Sequence, residues 1–193
     1  MAFNAYLVFH KDSKIFGEST SDIPDKGDAK PIEISDYGFG VSMPVTTSRS
    51  DGGGATVGRA NFDVFTATKN IDTATTKLVE YCCKGTAIPK IVLHLYRQGQ
   101  GTAESGVVKY AMVVFQFCVI TKVAISGSGE ELPKESLEFN YGVSEYWYQW
   151  TDHETGLPSG KNEPADKNPT FGWSTIENKM KASGQKFTAF APS

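Results

Sequence analysis

Val107-Val108-Lys109-Tyr110-Ala111-Met112-Val113-Val114-Phe115-Gln116-Phe117-Cys118-Val119-Ile120-Thr121-Lys122-Val123-Ala124-Ile125 is the stretch on which the fold turns. β-Branched and aromatic residues dominate it, so it reads as one long strand. Successive side chains of a strand point to opposite faces. Ala111, Val113, Phe115, Phe117 and Val119 then share one face, and Tyr110, Met112, Val114, Cys118 and Ile120 share the other. Both faces are apolar. One fills a core, and the second needs a cover from another layer of the chain or from another subunit. Length argues against a membrane span: Gln116 and Lys122 interrupt the run, and a crossing helix needs about 20 apolar residues.

Strand signals continue on both sides of this stretch, at residues 5–9, 32–41, 61–68, 90–97 and 137–150. Turn residues separate them, including Gly99, Gly101, Gly127, Gly129 and Pro133. One helix is expected against this background. Asp72 is a suitable N-cap, and Ala74, Leu78, Tyr81 and Cys82 fall on one face. Lys84 suits the last turn and Gly85 the left-handed position after it. The fold class is therefore mostly β: a compact β-barrel of two sheets, one short α-helix packed outside, and an extended glycine-rich loop. Residues 44–58 and 151–169 read as long irregular segments, and such loops are usually functional or disordered.

The chain has 193 residues and fits one domain over residues 1–179, with a tail at 180–193. A formal net charge of −3 gives no electrostatic footprint for a nucleic acid. Cys82, Cys83 and Cys118 make an odd set with one adjacent pair; they read as small buried hydrophobes of a reducing compartment rather than a disulfide framework. Residues 1–10 have none of the marks of a Sec-type leader. Export, if it occurs, is expected to use another route.

The search for chemistry finds no catalytic, cofactor-binding or metal-ligating set. His10, His94 and His153 have no second His or Cys at ligand spacing, and His94 reads as a strand residue. Asp152, His153 and Glu154 are consecutive in a polar turn and cannot converge on one point. Ser144 stands in no nucleophile elbow and reads as part of a strand. Gly127-Ser128-Gly129 lacks a third glycine, and Glu130 and Glu131 would repel phosphate. No enzyme is expected. Tyr146, Tyr148 and Trp150 share one face of a strand, with Trp147 opposite. Such a stripe packs a core or interface more often than it stacks on sugars.

Taken in order, these segments resemble the hemolysin-coregulated protein (Hcp) family, the tube proteins of the type VI secretion system. Ala5-Tyr6-Leu7 and Gly17-Glu18-Ser19 are similar to the family's opening strand and its Gly-Glu-Ser segment. Ile32-Glu33-Ile34 and Tyr37-Gly38-Phe39-Gly40-Val41-Ser42 resemble its next strand, and residues 52–58 stand where it has an extended loop. Phe65, Lys69, Asp72, Ala74 and Leu78 fit its strand-to-helix passage; Phe171-Gly172-Trp173-Ser174 with Asn178-Lys179 resembles its closing motif. The longer connection at 151–169 and the tail at 180–193 depart from the pattern.

The resemblance implies a structural subunit without enzymatic activity or cofactor. Its copies form hexameric rings that stack into a tube, which a contractile sheath drives out of a Gram-negative cell. Implied partners are further copies of itself, sheath and spike proteins, and small effectors in the lumen, with no nucleic acid and no membrane insertion. The protein would be cytoplasmic before firing and then secreted without a cleaved leader. The stacking loop is expected at Thr47, Ser48, Arg49, Ser50, Asp51, Gly52, Gly53, Gly54, Val57 and Arg59, and the subunit interface at Met112, Val114, Ile120, Tyr146, Tyr148 and Trp150. A phage tail-tube protein and a carbohydrate-binding β-sandwich are the rival readings.

Overall fold

The computed structural model describes residues 3–20, 30–46, 56–98, 107–129, 132–150 and 170–181. In chain order the strands are β1 (Phe3–Phe9), β2 (Ile32–Ile34), β3 (Asp36–Gly38), β4 (Val41–Ser42), β5 (Val45–Thr46), β6 (Thr56–Val57), β7 (Asn61–Phe62) and β8 (Phe65–Asn70). The helix α1 (Thr75–Lys84) follows, then β9 (Ala87–Gln98), β10 (Val107–Ser126), β11 (Lys134–Asn140), β12 (Val143–Tyr148), β13 (Thr170–Ser174) and β14 (Lys179–Met180). The class is the expected one, mostly β with one helix. Two of the expected strands are each broken in two: residues 32–38 bend at Ser35, and residues 134–148 turn at Tyr141 and Gly142.

β10 organises the sheet because it is paired along both edges. One edge carries β9 from Val107 to Val119. The other carries β12 from Ala111 to Gln116 and then β11 from Val119 to Ser126. From β9 the sheet passes to β1 and β2, and from β11 to β8 and β3. The ladder does not close by hydrogen bonds alone. β2 and β3 are joined through Ser35, whose N–H donates to the Thr68 carbonyl at 2.8 Å, so the chain itself carries the curl. A second limb leaves β12 for β13 and β14.

The fork between the limbs falls at Phe117, which holds a φ of 55°. Positive φ in a bulky residue is uncommon and costs about 1–3 kcal/mol. Its effect on β10 is to break the alternation. Val113 and Phe115 point into the core, and so do Cys118 and Ile120, at 0% and 2% exposure. Phe117 is thrown outward and is 60% exposed. A slip in the β11 ladder, between Ile120 and Lys122, returns Val123 to the core side. The two-faced reading of this strand is thus corrected. Cys118 and Ile120 belong with Val113 and Phe115: the positive φ of Phe117 exchanges the faces while the β9 register runs on unshifted, from Gln116 opposite Lys90 to Cys118 opposite Ile88.

The face opposite the core also differs from expectation. Tyr6, Val92, His94, Tyr96 and Val114 lie there across β1, β9 and β10, in register through the pairs Tyr6 with His94 and Val92 with Val114. All five are buried within the chain. The rings of Tyr6 and Tyr96 meet edge to face at 5.9 Å. This face needs no neighbouring subunit to cover Val114.

The core is an aromatic stack between the limbs. Phe65 and Phe139 lie 4.6 Å apart, Phe115 and Tyr141 4.8 Å, and Phe65 and Phe115 5.2 Å. Burial raises the Tyr141 phenol well above its usual range, with Tyr146, Asp63 and Cys118 adding to the effect. α1 covers one end through Leu78, with Ala74 just before its first turn also in the core. Its start is displaced from the expected position, because the helix opens at Thr75. Asp72 still acts there, its carboxylate accepting the Ala74 N–H at 2.9 Å. Gly85 ends the helix at a φ of 60°, as its lack of a Cβ permits.

Beneath α1 lies a buried polar cluster. Lys69 and Glu135, from paired positions on β8 and β11, are 1% and 0% exposed. The Lys69 ammonium donates to Asp72 Oδ1 at 2.7 Å and the Asn70 carbonyl at 2.8 Å, and reaches Glu135 Oε2 at 3.4 Å. The Thr75 hydroxyl donates to the same Glu135 oxygen at 2.5 Å. Charges are rarely buried unless paired and hydrogen-bonded; Lys69 and Glu135 Oε2 meet both conditions, while Glu135 Oε1 is buried with no hydrogen-bond partner among the described residues. The cluster ties the start of α1 to the barrel wall.

Candidate functional site

Residues 41–46 and 56–62 form an arm. At its root β4 pairs with β7, and further out β5 pairs with β6, with Gly58 donating to the Pro44 carbonyl at 2.9 Å between them. The segment expected to be irregular is therefore a two-stranded ribbon as far as Thr46 and Thr56. Val41, Met43 and Val45 recur at every second position and share one face of it. They are 59%, 48% and 51% exposed. A lone two-stranded ribbon is marginal in water, and an apolar stripe left uncovered on it adds nothing to its own stability.

At the root of the arm an apolar groove of about 440 Å³ runs between the ribbon and the second limb. Phe39 and Tyr146 form its floor, with ring centroids 6.0 Å apart, while Met43, Phe171 and Trp173 wall it. The Trp173 indole nitrogen is buried and has no hydrogen-bond partner among the described residues. On the other side of Phe62 a second groove of about 900 Å³ opens, lined by Phe117, Val119, Tyr141, Gly142 and Ile176 and rimmed by Arg59. The Arg59 guanidinium donates to the Thr175 carbonyl, linking the arm root to the turn after β13.

The expected interface residues are scattered by this geometry. Tyr148 is 42% exposed, and Met112, Tyr146 and Trp150 are half-buried. Val114 and Ile120, at 8% and 2%, are enclosed in the chain itself and offer a partner little surface. Of the expected stacking loop, Thr47, Ser48, Arg49, Ser50, Asp51, Gly52, Gly53 and Gly54 lie outside the described residues. Val57 lies on β6 opposite Val45, and Arg59 is turned back onto its own chain.

Three features escaped the sequence reading. The alternation Val41-Ser42-Met43-Pro44-Val45 was a readable strand signal, hidden by the proline and by the glycines that follow. Phe171 and Trp173 were noted only as a motif, although they wall the groove. Phe117 gave no signal, since nothing in a phenylalanine announces a positive φ.

Among the described residues the arrangement has little with which to do chemistry; Asp152, His153 and Glu154 lie outside them. Among the described residues no group of three or more His, Cys, Asp or Glu is placed to hold a metal ion. His94 and Ser144 are buried strand residues, as their patterns indicated. Burial pushes the Cys118 thiol up to about 12, which removes it as a nucleophile near neutrality. Cys83, by contrast, is exposed and Cys82 half-buried, which corrects the expectation that all three cysteines are interior. Among the described residues no helix is long and apolar enough to cross a membrane.

Comparison with known proteins agrees with the resemblance read from the motifs. The family described as "Type VI secretion system effector, Hcp" matches residues 6–148. A solved structure of a type six secretion system protein is 27% identical, covers 93% of this chain and 100% of that one, and superposes with a TM-score of 0.76. Hcp1 from Salmonella typhimurium is 21% identical over 94% of this chain and 100% of that one, with a TM-score of 0.65. A type VI secretion system effector from Yersinia pestis is 16% identical over 88% and 98%, with a TM-score of 0.56. No match was found among curated proteins. The family match covers most of the chain, from β1 through the long forked strand to the end of β12, and the chain belongs to the Hcp family of type VI secretion system effectors.

Proposed function

We propose that this protein is a tube subunit of a type VI secretion system, whose copies form hexameric rings that stack into the tube expelled by the sheath. The observation that carries this reading is the arm with its uncovered stripe of Val41, Met43 and Val45 beside an equally uncovered groove. Neither feature helps one copy fold, and each is the kind of surface that another protein covers. A ring needs a heterologous contact that returns on itself after six steps. Tyr146, Tyr148, Met112 and Trp150, on or beside the second limb, are retained as candidates for that contact; Val114 and Ile120 are not.

The segment from Thr47 through Gly54, together with Val57 and Arg59, serves stacking of ring on ring. Effectors small enough for the lumen and the sheath and spike of the machine remain the partners of this reading. Transit runs from the cytoplasm to the outside or to a target cell. The test is the assembly state of the purified full-length chain by light scattering and negative-stain imaging. Rings of about six copies support the reading, and a solitary particle at high concentration sinks it. Deleting Gly52, Gly53 and Gly54 is expected to leave rings intact while impairing tubes and secretion. Loss of the rings themselves would assign the arm to the ring contact instead.

A further inference from the structure

Phe117 and Ile176 form an exposed apolar pair that the fold holds in place at its own expense. Phe117 is 60% and Ile176 65% exposed. They come from β10 and from the turn between β13 and β14, and they flank Gly142. A Cβ on that glycine would lie 2.6 Å from Ile176 Cδ1 and 3.3 Å from Phe117 Cβ. The absence of a side chain at Gly142 is therefore what lets the two stand together. Phe117 reaches this position only through its positive φ, which an L side chain seldom adopts. The fork needs a residue of that conformation, but glycine or asparagine would supply it with less strain and no exposed ring.

We infer that the Phe117 and Ile176 pair is a docking knob for a second copy of this chain. The inference rests on the tube reading and extends it to a contact surface separate from the groove at the arm root. Area argues for a copy within an assembly. The pair exposes on the order of 200 Å² of apolar surface, against roughly 800 Å² per partner in a stable two-body interface. Such a knob cannot hold a dimer alone and suits one of several contacts made together in a multi-copy array. Continuity argues the same way: Arg59, at the root of the arm, donates to the carbonyl of Thr175 beside Ile176, so arm and knob form one connected surface.

Two variants of the full-length protein test this, Phe117→Gly and Ile176→Ser, each read by sedimentation velocity over a concentration series and by urea unfolding of the dissociated protein. Each variant is expected to raise the concentration at which assemblies dissociate by about tenfold. The urea midpoint should hold in Ile176→Ser and hold or rise in Phe117→Gly. A lowered midpoint in Phe117→Gly overturns the inference whatever the assembly does, because the ring then serves its own chain. Unchanged assembly in both variants also overturns it, while leaving the tube reading intact. A wild-type chain that never assembles removes both.

Discussion

The helix side of the molecule and the arm side invert each other's chemistry. Under α1, charged groups are inside: Lys69 and Glu135 are sealed at 1% and 0% exposure with Asp72 and Thr75 around them. On the arm side apolar groups are outside: Val41, Met43, Phe117, Phe171 and Ile176 all stand open. The first arrangement makes sense within one copy, since every charge finds its partner in the same chain. The second makes sense only with something against it. Breaking the helix side should unfold the protein; breaking the arm side should leave a folded chain that no longer assembles.

The largest expected effect is on the helix side. Glu135→Ala leaves the Lys69 ammonium buried without its paired carboxylate from β11, and should cost about 3–5 kcal/mol in urea unfolding. The joint replacement Lys69→Met with Glu135→Leu should recover much of that loss. A cost below about 1 kcal/mol for Glu135→Ala would mean that Asp72 alone neutralises the ammonium.

A second effect comes from Cys118. Its thiol is pushed up to about 12 from the ordinary thiol value of 9.0, chiefly through burial. Between those values the unfolded chain has released the thiol proton and the folded chain still holds it. The stabilisation is therefore complete below about pH 9 and is lost as pH rises toward 12, by on the order of a few kcal/mol. Urea midpoints from pH 8 to 11 should fall, and Cys118→Ala should flatten that part of the slope. At pH 8 a thiol reagent should modify exposed Cys83 and leave Cys118 untouched in the folded protein.

Gly17→Ala sharpens the comparison at a third position. A Cβ there would meet the Pro31 carbonyl oxygen at 2.2 Å, and backbone cannot swing aside as a side-chain tip can. A loss of about 1–3 kcal/mol is expected in thermal or urea unfolding. The smallest effect on folding belongs to Met43→Ser, within about 0.5 kcal/mol for an exposed position. The same variant should reduce assembly in sedimentation, and a variant that keeps both fold and assembly would show the stripe to be idle.

Much of this architecture was legible in the residues. Strand-forming stretches and the capped helix followed from alternation, from the 72–85 pattern and from Gly85 at the helix end. The stretch at 107–125 was correctly read as one long strand. Its faces were misassigned because alternation carries no record of a backbone reversal, and the positive φ at Phe117 exchanges the faces of Cys118 and Ile120 without shifting the β9 register. The interface candidates inherited that error: Ile120 was counted outward when the turn of the backbone at Phe117 had brought it inward. Tyr148, beyond the fork on another strand, was unaffected and is exposed. The arm was half legible, since Val41, Met43 and Val45 alternate but Pro44 and the following glycines speak for a loop. The Lys69 and Glu135 cluster was not legible at all, because 66 positions separate the two residues and only the β8 and β11 register brings them together.

The shared strand has a mechanical corollary. Because β10 belongs to both limbs, a pull applied at the arm end travels to the helix end along one unbroken backbone rather than across a seam of packed side chains. Stretching the subunit along that axis must shear bonds on two margins at once, whereas β14 at the outer edge can be peeled away one rung at a time. The subunit's stiffest direction is thereby set by a single continuous spar.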